Sequence, residues 1–121
     1  AGLVGKTPWP TVGAYVLLQI SAGLLAGLAC FEIFGQALGA SPVQPFGLAE
    51  ASFVEFIYTA MLCFVVLNVA TARHNNPASD QNHYSGMAIG GVVIAGGYAA
   101  GDISGALFNP AAAIGLDVVG T

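Results

Sequence analysis

Asn109, Pro110 and Ala111 are the residues of this sequence with the clearest capacity for chemistry, and they follow a glycine-rich apolar stretch. Asn is a strong helix N-cap, and Pro fits the first helical position because no amide hydrogen is needed there. A helix is therefore predicted over residues 110–118, ending before Gly120. At about 1.5 Å per residue it covers roughly half of a hydrocarbon core about 30 Å thick. A half-helix at that depth makes sense only where its loop lines a cavity or is buried in protein, which predicts a channel or transporter architecture.

Two further polar residues, Glu55 and Gln19, stand inside apolar stretches. An ionisable group in such a stretch is by default a functional-site hypothesis, so Glu55 is a candidate, including for a proton-coupled transporter. The alternative for Glu55 is an interfacial carboxylate near a helix end. The alternative for Gln19 is a single tolerated polar residue in a long apolar helix.

Enzyme chemistry finds no support in the sequence. No Ser/His/Asp set, phosphate-binding loop or cluster of metal ligands stands out, so neither catalytic residues nor a metal or cofactor is predicted. His74 and His83 lie in the one strongly polar stretch, where a pH gate and plain surface histidines are both open interpretations. Cys30 and Cys63 lie in apolar stretches without a CxxC spacing and are interpreted as small packing residues.

The elements that must position these residues follow from a composition typical of a bilayer protein. The 121 residues are 56% hydrophobic and 7% charged, whereas soluble domains carry about a quarter charged residues. Three membrane spans are predicted at residues 12–34, 53–72 and 84–100, each near the length needed to cross. With the half-helix they make an all-α membrane fold, a single domain over residues 1–121. The net charge of −4 leaves no basic patch for nucleic acid.

The two cations of the chain predict its orientation. Lys6 precedes the first span and Arg73 follows the second, so both lie on one side of the membrane. The positive-inside rule places that side in the cytoplasm. Gly23 and Gly27 form a GxxxG spacing, which lets membrane helices approach closely but is weak evidence alone.

Four segments occur in a specific order along nearly the whole chain. They are Lys6-Thr-Pro-Trp-Pro with the following Ala14-Tyr-Val-Leu-Leu-Gln, Phe53-Val-Glu-Phe-Ile-Tyr-Thr, the glycine-rich residues 88–105, and Asn109-Pro-Ala. In this order they resemble the third helix, the fourth helix with its glutamate, the fifth helix and the second NPA box of the aquaporin (major intrinsic protein) family. The resemblance implies an aquaporin-like fold with three transmembrane helices and one re-entrant half-helix.

The resemblance also implies roles for these residues. In the family two half-helices meet at the midplane, where their dipoles oppose cations and asparagine amides donate to passing oxygen atoms. Asn109 would be that donor, with Pro110 and Ala111 shaping the turn. Glu55 would accept hydrogen bonds from the loop before Asn109, and Gln19 would partner the opposite NPA loop. The alternative is a capped, buried half-helix with no permeant.

At three filter positions the sequence departs from the family. Ala112 stands where the family usually has an arginine, Gly97 aligns with the filter histidine of water-selective members, and Ala106 occupies the neighbouring loop position. All three residues are small and uncharged. They favour a wide pore for neutral solutes, or none, over a strictly water-selective one.

Counterparts of the family's first two helices, first NPA half-helix and last helix are not found in the 121 residues. Because such pores form between inverted repeats, the chain is expected to be a fragment or a degenerate member. Two functions stay open. One is a channel for water or a small neutral solute, a homotetramer in the lipid bilayer. The other is a non-conducting structural subunit of a larger membrane complex, for example a respiratory or photosynthetic one.

A second Asn-Pro-Ala occurs at residues 76–78, within a strongly polar stretch. Such a segment will not enter a bilayer, and Pro77 there is typical of a turn. The family's first box precedes its third helix, whereas this tripeptide follows the resemblance to the fourth. It is predicted to be a solvated loop.

Overall fold

The computed structural model describes residues 1–36, 40–77 and 82–120, and within them all regular secondary structure is helical. Three of the helices are long and apolar enough to cross a membrane, with mean hydropathies of 1.9, 2.0 and 1.3 in chain order. This confirms the predicted all-α, partial aquaporin-like fold class. The helices are α1 (Trp9–Phe34), α2 (Leu48–Val66) with a π-helical continuation (Leu67–Thr71), α3 (Ser85–Ser104) and the short α4 (Pro110–Gly120).

Local capping chemistry determines where α1 and α2 begin. Helix α1 starts at Trp9 rather than at residue 12, since the extended Pro8 precedes it and Pro10 is tolerated in the first turn. Helix α2 starts at Leu48 rather than at residue 53, because the Glu50 carboxylate accepts the Gly47 N–H at 3.0 Å.

Glycine determines where α3 ends. The helix was predicted to stop at residue 100, but it continues through Gly101 to Ser104. Gly105 then adopts a left-handed conformation (φ 84°) and donates its N–H to the Gly101 carbonyl at 3.0 Å, which closes the helix. The irregular loop before Asn109 is therefore short. Helix α4 begins at Pro110, as the cap chemistry predicts.

The described residues group into two compact units, Ala1–Ser41 with Asn109–Thr121, and Pro42–Phe108. In the first unit, α4 packs on α1 through glycines. A Cβ at Gly23 would collide with the Ala111 carbonyl, and one at Gly27 with the Gly115 carbonyl. A Cβ at Gly115 would in turn collide with the Gly23 carbonyl. The two helices therefore touch backbone to backbone, as the GxxxG spacing allows.

In the second unit, α2 packs along α3, and Ala51 and Ala100 are buried. Large apolar side chains instead point outwards; Phe53, Phe56 and Phe64 are each more than half exposed. Contiguous exposed apolar surface of this kind suits a lipid environment.

Candidate pore-lining site

Asn109 caps the N-terminus of α4 with its side-chain oxygen. Oδ1 accepts the N–H of Ala111 at 3.1 Å and that of Ala112 at 3.4 Å, while the main-chain carbonyl accepts the N–H of Ala113 at 3.0 Å. No described residue accepts a hydrogen bond from Nδ2, and the residue is exposed. The cap therefore uses the acceptor half of the amide and leaves the donor half for another oxygen atom.

A cavity of about 400 Å³ lies beside this cap, within the first unit. Its wall on α1 is one face of the helix, spaced three or four residues apart. Two of its lining residues carry side-chain amides, none is charged, and most are Ala or Gly: Gln19, Ala22, Gly23, Ala26, Gly27, Cys30, Asn109, Ala111, Ala112 and Leu116. The structure thus places Gln19, Asn109, Ala111 and Ala112, all named from sequence, around one cavity.

Glu55 lies in the second unit and binds the loop that ends α3. Its Oε1 accepts the Ser104 hydroxyl at 2.6 Å and the Leu107 N–H at 2.9 Å, and its Oε2 accepts the Phe108 N–H at 2.6 Å. This half-buried carboxylate satisfies two backbone N–H groups that lie outside the helices and have no intrahelical acceptor. Helix α2 places it there, about two turns after its own N-terminus.

The same loop contains two non-glycine residues in the left-handed region, Ala106 (φ 53°) and Phe108 (φ 46°). Each costs of order 1–2 kcal/mol and persists only where its surroundings hold it. The Phe108 ring is buried against Tyr58, with ring centroids 5.5 Å apart. It also covers Gly96, where a Cβ would come within 2.7 Å of Phe108 Cε2.

The three filter positions predicted from sequence are divided between the units. Ala112 lines the cavity of the first unit, whereas Gly97 and Ala106 belong to the second. Gly97 is half-buried and has open space where a Cβ would stand. Ala106 is half-buried in the loop held by Glu55.

Sequence reasoning missed three contributors: Ser104, the Tyr58–Phe108 pair, and Gly115 opposite Gly23. Ser104 directly precedes the helix-ending Gly105, which is the only local signal of its role. Gly115 carries no local signal of its role, since its contact, Gly23, lies on a helix far away in the chain.

The other tripeptide caps a helix C-terminus. Asn76 Nδ2 lies 2.9 Å from the Val69 carbonyl oxygen and 3.2 Å from that of Ala72, and Asn76 Oδ1 accepts the Asn82 N–H at 3.3 Å. Asn82 Nδ2 donates to the same Val69 carbonyl at 3.2 Å. Asn76 is half-buried and Pro77 exposed; Ala78 lies outside the described residues.

A sequence model of the major intrinsic protein family matches residues 2–121. The chain belongs to this family. It is 35% identical over 123 residues to Aquaporin NIP1-4 of Oryza sativa subsp. japonica, a match covering 98% of this chain and 42% of the relative. It is 37% identical over 121 residues to Aquaporin NIP1-3 of the same species (95% and 39% covered). Probable aquaporin NIP7-1 of Arabidopsis thaliana is 31% identical over 116 residues (95% and 41% covered).

The chain of this major intrinsic protein family member thus spans about two fifths of the length of the curated relatives it matches. No solved structure gives a significant match. Family membership and three apolar helices together identify an integral, multi-pass membrane protein.

Proposed function

We propose that this chain forms part of a membrane channel that conducts water or small neutral solutes passively. The observation that carries the proposal is that the oxygen and the NH₂ group of the Asn109 amide are used differently. Its oxygen accepts two N–H groups of α4, its NH₂ group has no acceptor among the described residues, and Asn109 lines a cavity without charged lining residues.

This geometry supports the conduction of groups that carry an oxygen acceptor. A hydroxyl or water oxygen passing Asn109 can accept from Nδ2 without breaking the cap. The N-terminus of α4 contributes about half a positive charge at the same place, which disfavours cations. Small neutral molecules are therefore the favoured permeants.

The filter positions favour a broad range of neutral solutes over water alone. Ala112, Gly97 and Ala106 carry no group larger than a methyl and no charge. A pore that uses them is wide and excludes cations through the helix N-terminus rather than through a fixed arginine.

The proposed topology places Lys6 and Arg73 on the cytoplasmic side. The first helix long enough to span a membrane begins after Lys6, and the second ends before Arg73. Two crossings separate these residues, which returns the chain to the side on which Lys6 lies. Single cysteines introduced at these two residues should react with an impermeant maleimide only from the cytoplasmic side. Labelling from opposite sides would contradict this topology.

Flux through proteoliposomes tests the channel. We would reconstitute the full-length protein that contains this chain, with and without Asn109→Asp, and measure water efflux in a sorbitol gradient and glycerol entry. Aspartate keeps the capping oxygen but replaces the donor by a carboxylate, so folding should persist while glycerol flux falls about tenfold, a loss typical of a strong donor contact.

Asn76→Ala is the matched control, since it alters the other copy of the tripeptide and should leave flux per folded protein unchanged. Wild-type flux equal to that of empty liposomes would contradict the channel. A homotetramer is the proposed assembly. Stoichiometric co-purification with larger membrane partners would instead favour the structural subunit.

A further inference from the structure

Ser104 is the one buried polar side chain among the described residues, with 7% of its surface exposed. Its hydroxyl lies 2.6 Å from Glu55 Oε1 and 3.2 Å from the Ala100 carbonyl oxygen. A hydroxyl has one hydrogen, and the shorter contact to a carboxylate is the stronger. Ser104 therefore donates to Glu55.

The hydroxyl oxygen of Ser104 also accepts a hydrogen bond from the N–H of Ala106 at 3.2 Å. Glu55 takes the next two backbone N–H groups, those of Leu107 and Phe108. Three consecutive amides of the loop are thus bound, and the first is bound through the serine. An orphaned amide in this half-buried loop would carry a desolvation cost, so the serine contributes directly to the loop conformation.

Ala106 needs that support because its φ of 53° is unfavourable for any residue with a Cβ. Glu55 makes no hydrogen bond to the Ala106 amide, and the Tyr58–Phe108 contact holds the loop two residues further on. Ser104 is accordingly the side chain that bonds the backbone of Ala106 itself.

We propose that Ser104 is a positioning and specificity-determining residue, which holds Ala106 in its left-handed conformation and thereby sets the filter wall that Ala106 forms. The inference rests on the proposed function, because Ala106 is a filter position only if the protein conducts. A displaced wall obstructs a larger solute more than water, so loss of the serine hydroxyl should lower the glycerol-to-water permeability ratio.

The test compares Ser104→Ala with Ser104→Thr, which restores a hydroxyl, and with Ser21→Ala as matched control. Ser21 on α1 donates its hydroxyl to the Leu17 carbonyl, four residues earlier, at 2.9 Å, and contacts no loop amide. In proteoliposomes of the full-length protein, Ser104→Ala should lower the permeability ratio about fivefold, the effect of losing one hydrogen bond. Threonine should restore it, and Ser21→Ala should leave it unchanged.

Hydrogen–deuterium exchange of residues 104–109 supplies a readout that is independent of flux. The Ala106 amide should exchange about fivefold faster in Ser104→Ala, and at the wild-type rate in Ser104→Thr. Unchanged exchange overturns the positioning role. Faster exchange with an unchanged permeability ratio overturns the specificity role. Faster exchange in a protein whose wild type conducts nothing upholds positioning and overturns the channel.

Discussion

Asn-Pro-Ala occurs twice in this chain, and its asparagine has opposite roles in the two places. Asn109 uses its side-chain oxygen as an acceptor for the first amides of a helix. Asn76 uses its side-chain NH₂ as a donor to the last carbonyls of another helix segment. An asparagine amide has both groups, and helix N-termini lack acceptors whereas C-termini lack donors.

The difference teaches that the neighbours of the tripeptide determine its function. Asn109 is preceded by an irregular loop bound to Glu55, and is followed by a helix seated on the glycines of α1. Asn76 is preceded by a helix end and is joined there by Asn82, which donates to the same carbonyl. In the first setting the asparagine lines a cavity, and its NH₂ group has no acceptor among the described residues.

The largest effect on this contrast is expected from disturbing the packing of α4, the helix that follows Asn109, on the glycines of α1. Gly23→Ala places a methyl group against the Ala111 carbonyl, which is backbone and cannot rotate away. The free energy of unfolding should fall by about 3 kcal/mol. It can be measured by reversible unfolding in detergent followed by circular dichroism.

Gly13→Ala is the control for that prediction. Gly13 lies on the same helix as Gly23, but a Cβ there would meet nothing within 4 Å. It should leave stability unchanged or raise it by up to about 1 kcal/mol, the helix-propensity gain. Equal stability of the two variants would show that α4 does not depend on the glycine contact.

The next change removes what holds the loop before Asn109. Glu55→Gln keeps the shape but cannot accept at both ends, so at least one of its three hydrogen bonds is lost. Bonds to a charged acceptor contribute about 2 kcal/mol, and the free energy of unfolding should fall by that amount. Glu50→Gln, which alters an exposed cap, should cost about 0.5 kcal/mol. A smaller loss at Glu55 than at Glu50 would refute the loop-holding role.

Asparagine-to-aspartate substitution sharpens the contrast most directly. Asn76→Asp removes the donor and sets a carboxylate against carbonyl oxygens, so the melting temperature should drop, with a loss of about 1–2 kcal/mol. Asn109→Asp keeps the capping oxygen and should cost less than about 0.5 kcal/mol. Thermal unfolding of both variants side by side decides the matter. The reverse order would mean that the two asparagine roles are misassigned.

The smallest effect is expected at the prolines. Pro110 occupies the first position of α4, where its fixed φ restricts the unfolded chain, so Pro110→Ala should lower stability by about 0.5 kcal/mol. Pro77→Ala alters an exposed position and should stay within about 0.5 kcal/mol of wild type. A loss above about 2 kcal/mol at Pro110 would indicate a role beyond helix initiation.

Two aspects of the candidate site could be predicted from sequence. The start of α4 at Pro110 follows from Asn109 and the proline, since cap chemistry depends on residues within one turn. The loop-binding role of Glu55 was implied by the family resemblance alone, and in the structure Glu55 accepts hydrogen bonds from Leu107 and Phe108 of the loop before Asn109. The role of Gln19 toward an opposite loop stays a prediction.

The role of Ser104 and the packing of α4 on Gly23 could not be predicted in the same way. The Ser104–Glu55 bond joins residues 49 apart in the chain, and no local pattern encodes such a partner. The glycine spacing was a weak signal of close helix packing at Gly23. Gly97, Gly101 and Gly105 have the same spacing, yet a Cβ at any of them would meet nothing within 4 Å.

The sequence by itself determined the helices, the apolar spans and the family, because hydropathy and capping are properties of neighbouring residues. Only the tertiary structure decided which glycines touch backbone and which serine joins Glu55 in holding the loop before Asn109. Both outcomes depend on contacts between residues far apart in the chain, and these contacts are set by packing between distant segments.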